Sequence, residues 1–261
     1  MTQLEIQNVS KSFGGIRAVT DVSFRVADRA IVGLIGPNGA GKTTVFNLIT
    51  GVYRPDAGTI RLGGASIVGA KPAQIAGMGI ARTFQNVRLF AQLSVLENVL
   101  VACETTRRSG LAGALLRTPH FGRDERVMRE RALATLDVFG LAGVADRPST
   151  SLSYGNQRKL EIARAMMLNP KVVLLDEPAA GMNYGEAEGL KEQIRWLRER
   201  FALSVLLVEH NMQVVMGVCE EIYVLDYGQT IAHGPPRSIS QHPRVLAAYL
   251  GEDARTEELL A

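Results

Sequence analysis

Residues 36–43 read Gly-Pro-Asn-Gly-Ala-Gly-Lys-Thr, set between the apolar run Ile31-Val-Gly-Leu-Ile35 and the amphipathic segment Thr43-Thr-Val-Phe-Asn-Leu-Ile-Thr-Gly51. No other stretch restricts the fold as strongly. A short, unbroken apolar run reads as a buried strand, and the apolar spacing after Lys42, closed by Gly51, reads as a helix. The loop between them turns sharply, and its glycines let successive backbone N–H groups face one point. With the positive end of the following helix, those groups form a site for an anion. In the pattern G-x-x-x-x-G-K-[ST], Lys42 neutralises outer phosphate oxygens and Thr43 offers a hydroxyl to magnesium. The strand before and the helix after favour this phosphate cradle over a glycine-rich turn with a chance lysine.

The remaining pattern is α/β. LEIQNVS and VTDVSFRV alternate apolar with polar, as half-exposed antiparallel strands do, so a sheet opens the chain before residue 30. A turn at Arg54-Pro55-Asp56 leads to strands over GTIRL and GIARTFQ with a helix at PAQIAG between them. Ser94-Val-Leu-Glu97 has the spacing of a capping box and opens a helix over VLENVLVAC. Residues 104–123, punctuated by Gly, Arg and Pro, read as an insertion or a short helix with mobile ends. DERVMRERALATLDVFG is a charged amphipathic helix, and Glu97 to Met167 is helix-rich throughout. KVVLLDE, LSVLLVEH and EIYVLDYG then return as apolar strands separated by helical segments, the pattern of a buried parallel sheet.

Two of these strands end in chemistry. Val172-Val-Leu-Leu-Asp176-Glu177 delivers adjacent carboxylates at a C-terminal strand end, where open α/β sheets bind ligands. Asp176 can hold magnesium through water while Glu177 polarises an attacking water; without the phosphate loop the pair would read as a solvated strand end. His210, closing Val205-Leu-Leu-Val-Glu209, is placed to reach a terminal phosphate or is a polar strand end.

Composition narrows the function. With 261 residues, 46% of them hydrophobic, the chain can bury a sizeable core. A net charge of +3, scattered along the sequence, gives no reason to expect a nucleic-acid partner. Cys103 and Cys219 are far apart with no CxxC or His nearby, which argues against a disulfide framework and a zinc site and suggests buried apolar residues in a reducing compartment. MTQLEIQNVSKSF has no basic stretch leading into an apolar one, and nowhere do eighteen apolar residues follow one another. The chain is expected in the cytoplasm, meeting a membrane only through a partner.

Over residues 3–250 the sequence resembles the nucleotide-binding subunits of ATP-binding cassette transporters. Leu152-Ser-Tyr-Gly-Asn-Gln157 stands where that family has its signature motif, upstream of the strand carrying Asp176 and Glu177. The resemblance implies an α/β ATPase of the P-loop type with a mixed-sheet core, an N-terminal antiparallel β subdomain and a helical signature subdomain. It places one nucleotide-binding domain over 1–250, its helical part about 86–168 with an insertion about 104–123, and a tail over 251–261. ATP would lie against Gly36, Pro37, Asn38, Gly39, Ala40, Gly41, Lys42, Thr43 and Thr44, with Phe13 stacked on adenine. Magnesium would be held by Thr43, Gln85 and Asp176, hydrolysis served by Glu177, His210 and Gln85, and the facing subunit met at Gly181-Met-Asn183. Two chains would pack head to tail, Ser153, Tyr154, Gly155 and Asn156 of each facing the ATP of the other. Hydrogen-bond donors are sufficient there, although Ser153 also suits a plain N-cap on the helix over RKLEIARAMML.

Some positions depart from the family. Tyr154 replaces the first signature glycine, Asn156 the usual glutamine, Asn183 an aspartate and Phe13 a tyrosine. LSYGNQRKLEIARA, PAAGMN, VEHNM and HPRVLAAYLGE are similar to the ATPases of branched-chain amino acid importers, in the longer of their two unlike subunits. That resemblance implies a second ATPase subunit, two transmembrane permease subunits, a solute-binding protein outside the membrane, and a peripheral place on its cytoplasmic face. Asn86-Val-Arg-Leu-Phe90 would seat a permease helix, or else Val87, Leu89 and Phe90 are buried in the helical part. Urea importers and a lipopolysaccharide export ATPase share much of the pattern. A soluble cassette acting on DNA, ribosomes or iron–sulfur assembly would call for a fused second cassette, a long coiled-coil insertion or a strongly basic face, and the sequence shows none of them. A non-hydrolysing regulatory subunit is disfavoured by Glu177 and His210.

Overall fold

The computed structural model describes residues 2–83, 89–103 and 119–249. They fall into two compact units, one of residues 1–85 with 171–261, the other of residues 86–170.

The first unit begins with β1 (Thr2–Phe13) and β2 (Ile16–Ala27), joined by the Gly14-Gly15 turn. Both glycines have positive φ, as a two-residue hairpin turn that matches strand twist requires. With β4 (Ala57–Leu62) and β5 (Ala65–Ser66) they form a sheet ordered β2-β1-β4-β5. The expected alternation holds: Leu4, Ile6, Val22, Phe24 and Val26 are buried together with Val45, Phe46, Leu48 and Ile49 of α1 (Lys42–Ile49).

A six-stranded sheet ordered β10-β9-β3-β8-β7-β6 forms the centre of the same unit. It comprises β3 (Ile31–Ile35), β6 (Ile80–Arg82), β7 (Val172–Asp176), β8 (Ser204–Val208), β9 (Glu221–Asp226) and β10 (Gln229–Gly234). All pairs are parallel except β9 with β10, which makes the sheet mixed. β3 and β8 are buried at every residue, the expected signature of strands covered on both faces. The β9–β10 hairpin was not anticipated. Its Tyr227-Gly228 turn, both residues at positive φ, lacks the Asn-Gly or Gly-Gly signature that marks such a turn in a sequence. The strand expected over GIARTFQ is shorter, ending at Arg82; residues 84 and 85 lie outside the described residues.

α2 (Pro72–Met78) stands where PAQIAG placed it. In the second unit α3 (Val95–Cys103) opens with the expected capping box: the Ser94 N–H donates to Glu97 Oε2 at 2.7 Å and the Glu97 N–H to Ser94 Oγ at 3.2 Å. α4 (Pro119–Val138) starts before Asp124, so the last residues of the expected insertion are helical, with proline at the first helical position where it is favoured. Residues 104–118 lie outside the described residues. α5 (Tyr154–Met166) packs on α3 and α4. The first unit continues through α6 (Tyr184–Phe201), α7 (Met212–Val218) and α8 (Pro236–Ser240). Cys103 and Cys219 are free and buried, as expected, and burial beside Glu220 and Glu209 pushes the Cys219 thiol up to about 12. Among the described residues no helix is long and apolar enough to cross a membrane.

Candidate functional site

Strand register gathers the chemistry at one sheet edge. Leu34 of β3 pairs with Val208 of β8, and Val208 pairs with Asp176 of β7. The three form a row, so the loop after Ile35, Glu177 after β7 and His210 after β8 all leave the sheet at the same end. Two inter-strand spacings, about 10 Å, separate the outer strands of that row, which suits a triphosphate between them.

The loop at residues 36–41 is held by backbone. Gly36 has φ 150°, and a Cβ there would run into the Leu225 carbonyl oxygen; Gly41, at φ 99°, would bring one to 2.6 Å from the Ala18 carbonyl oxygen. The Gly228 N–H donates to the Ala40 carbonyl at 3.0 Å and the Gly228 carbonyl accepts from Thr20 N–H at 2.8 Å, so the β9–β10 turn braces the loop. Lys42 is only 7% exposed, and its ammonium donates to the carbonyls of Gly36 (2.6 Å) and Pro37 (2.8 Å). Asn38, Gly39 and Thr43 are exposed and Thr44 is half-buried. α1 has no acidic residue in its first turn, so its positive end stays uncompensated for an anion.

Asp176 ends β7 half-buried, and its Oδ2 accepts from Arg82 Nη2 at 2.6 Å. Arg82 Nη1 donates to Asn47 Oδ1 on α1 at 2.8 Å, and the guanidinium lies over the Phe46 ring. Arg82 therefore links the carboxylate strand to the helix that begins at the phosphate loop. No local pattern marks it, because the link joins residues distant in sequence. Glu177 has φ 44°, left-handed for a non-glycine residue; its N–H donates to the Val208 carbonyl at 2.8 Å, and its Oε2 lies 3.7 Å from His210 Nδ1. His210 is exposed.

Phe13, at the end of β1, is 39% exposed and meets Tyr53 edge-on with ring centroids 5.0 Å apart. Tyr53 was not singled out in the sequence. Asn183 caps α6: its Oδ1 accepts from Glu186 N–H at 3.0 Å, and Glu186 Oε2 accepts from Asn183 N–H at 2.8 Å. The Asn-x-x-Glu spacing carries that signal. Gln85, Asn86 and Val87 lie outside the described residues. Leu89 is half-buried and Phe90 is 48% exposed beneath the Arg164 guanidinium, so of the two readings for this segment exposure holds for Phe90.

In the second unit, Ser153 occupies the N-cap position of α5 but its hydroxyl makes no capping bond. The helix starts at Tyr154 rather than Arg158, making the signature its first turn, because the Ser153 carbonyl already accepts from Gln157 N–H at 2.9 Å. Ser153, Tyr154 and Gly155 are exposed and Asn156 is half-buried. The Tyr154 hydroxyl accepts from Arg158 Nη2 at 2.7 Å, and Gln157 Nε2 donates to the Leu152 carbonyl at 3.0 Å, so the displaced glutamine is turned back on its own chain.

Comparison with known proteins fits this geometry. The ABC transporter family profile matches residues 19–180, and a profile described as branched-chain amino acid ATP-binding cassette transporter matches 229–255. Over 249 residues the chain is 47% identical to the high-affinity branched-chain amino acid transport ATP-binding protein LivG of Salmonella typhimurium, covering 95% of this chain and 98% of that one. It is 45% identical, with the same coverage, to the BraF protein of Pseudomonas aeruginosa, which carries the same description. The solved structure of MJ1267 in its ADP conformation, an ATP-binding cassette of an ABC transporter, superposes with a TM-score of 0.82 at 32% identity, covering 97% of this chain and all of that one. Sharing nearly half its residues with two such proteins along almost its whole length, the chain belongs to the ATP-binding cassettes of ABC transporters, the subunits that bind and hydrolyse the nucleotide.

Proposed function

We propose that this chain is one of two unlike ATPases of an importer for branched-chain amino acids, peripheral on the cytoplasmic face of the membrane beside two permease subunits and a solute-binding protein. The cargo comes from the LivG and BraF resemblance and the match over 229–255. The hydrolytic site rests on one observation, the shared row of Leu34, Val208 and Asp176 that brings the phosphate loop, Glu177 and His210 to one edge.

In the mechanism, Lys42 exchanges its loop carbonyls for phosphate oxygens as ATP enters, and the N-terminal amides of α1 hold the β-phosphate. Phe13, braced by Tyr53, offers its ring to adenine. Glu177 accepts a hydrogen bond from the attacking water and aligns it with the γ-phosphorus, while His210 donates to a γ-oxygen. Ser153 and the Gly155 N–H donate to the γ-phosphate held by the facing cassette, and Asn183 meets that cassette. Thr43 offers a hydroxyl and Asp176 a carboxylate, hard oxygen donors that suit magnesium, an ion that takes few protein ligands and completes its shell with water and phosphate. Thr43, Asp176 and Gln85 would hold it, and when bound it neutralises charge on the β- and γ-oxygens. The exposed Phe90 is an anchor for a permease helix.

The test is uptake of labelled leucine, with labelled urea alongside, in cells whose own copy is replaced by wild type or Glu177→Gln. Leucine uptake lost in the variant while urea uptake survives is the expected result. Survival of both removes the cargo, and loss of urea uptake alone moves the chain to a urea importer.

A further inference from the structure

Glu209 is the one acidic residue among the fully buried positions at the end of β8, at 0% exposure, one residue before His210. Both its oxygens are occupied by main chain. Oε1 accepts from Ala179 N–H at 2.5 Å; Oε2 accepts from His210 N–H at 3.0 Å and Asn211 N–H at 3.1 Å. Burying a carboxylate is unfavourable unless its oxygens are satisfied, and an apolar residue like Val205 to Val208 just before it would suit the buried site as well. Its partners give the reason for its presence. Ala179 lies two residues beyond Glu177 on the segment leaving β7, whereas His210 and Asn211 lie on the segment leaving β8. Glu177 is fastened in front by its own N–H to Val208, and Ala179 fastens the same turn behind.

We propose that Glu209 is a positioning residue for ATP hydrolysis. It staples the turn after Glu177 to the turn carrying His210, so that the carboxylate that aligns water and the histidine that holds the γ-phosphate keep their 3.7 Å relation. The same staple fixes the start of the path to Asn183, since Ala180 N–H donates to the Glu177 carbonyl and Met182 N–H to the Ala179 carbonyl. The inference rests on the hydrolytic roles given above to Glu177 and His210. Loss of the staple moves the two groups relative to a bound γ-phosphate without touching the phosphate loop, so it lowers turnover and spares nucleotide affinity.

Glu209→Gln is nearly isosteric, but its amide turns an N–H toward either Ala179 or the His210 and Asn211 pair, so one side of the staple fails. ATP turnover of the full chain in its assembled complex is measured for wild type, Glu209→Gln, His210→Ala and the double variant. The expected result is a kcat about 100-fold lower in Glu209→Gln with the KM for ATP within about twofold of wild type. Because the staple acts by holding Glu177 and His210 to one another, its loss costs little once His210 is gone, and Glu209→Gln lowers the rate of the His210→Ala protein by much less than it lowers that of wild type. A kcat within about threefold of wild type, or losses that multiply in the double variant, overturns the proposal. Glu177→Gln is run alongside: if it retains turnover, the hydrolytic site itself is misassigned, whereas its inactivity with an active Glu209→Gln removes only the staple. Should Glu209→Gln not fold, hydrogen exchange on the wild-type chain decides. Ala179 and Asn211 amides protected like those within β8 support the staple, and exchange at the rate of an exposed turn overturns it.

Discussion

Asp176 carries a counter-charge that no reading of its neighbourhood in sequence would supply. Arg82 occupies one of its oxygens at 2.6 Å, with both side chains only 14% exposed, and reaches Asn47 with its other terminal nitrogen. Removing one member of such a pair leaves a charge poorly solvated and unpaired. Arg82→Gln is expected to destabilise the folded chain by about 2 kcal/mol, read as a shift in the urea midpoint with unchanged slope. A shift below about 0.5 kcal/mol would mean that the pair is idle. The phosphate-loop residues were legible because their chemistry lies within eight consecutive positions, and Glu177 because it ends an apolar strand. Arg82, Tyr53 and Glu209 were not, since each acts on a partner contributed by another element.

Helices were the more legible elements wherever a local cap fixed their start. Ser94 and Glu97 announced α3 in the sequence, and the box forms as spaced. α5 was misjudged by one turn, because an exposed Tyr-Gly start carries no apolar period. Strand β10 was missed because its turn has no distinctive residues, yet that turn holds the phosphate loop from behind. The segment before α3 has its own anchor. Asn98, at 0% exposure, accepts from Phe90 N–H at 2.8 Å and donates to the carbonyls of Phe90, Leu93 and Ser94, while Ser149 Oγ donates to the same Phe90 carbonyl. The backbone under the exposed Phe90 ring is thereby fixed. Asn98→Ala leaves several buried polar groups without partners, and a loss of about 3 kcal/mol is expected in urea unfolding followed by tyrosine and tryptophan fluorescence. A loss under about 1 kcal/mol would show that water replaces the side chain.

At the scale of the molecule, ATP is itself an element of stability. A ligand that binds only the folded state at about one hundred times its Kd adds about 2.7 kcal/mol. Wild-type chain melted with ATP and magnesium at that ratio is expected to show this gain, seen as a rise in Tm. Lys42→Ala, at the same ATP concentration, is expected to lose most of it, since the ammonium that answers the phosphates is gone; an equal gain would place the nucleotide elsewhere. Turnover by the isolated chain is expected to be slow, because in the arrangement we propose the signature residues serve a site whose phosphate loop belongs to another cassette.

Short-range physics wrote part of this molecule directly into the order of its residues. It specified the phosphate loop with its flanking strand and helix, the buried parallel strands, the capping box of α3 and the family to which these belong. Long-range packing set how Arg82 is shared between Asp176 and Asn47, how Glu209 joins two turns thirty residues apart, and which β-turn braces the phosphate loop. The reason is physical: hydrogen bonds and charge pairs between distant segments depend on strand order and register. That order follows from how all the apolar faces are buried at once rather than from any single stretch of residues.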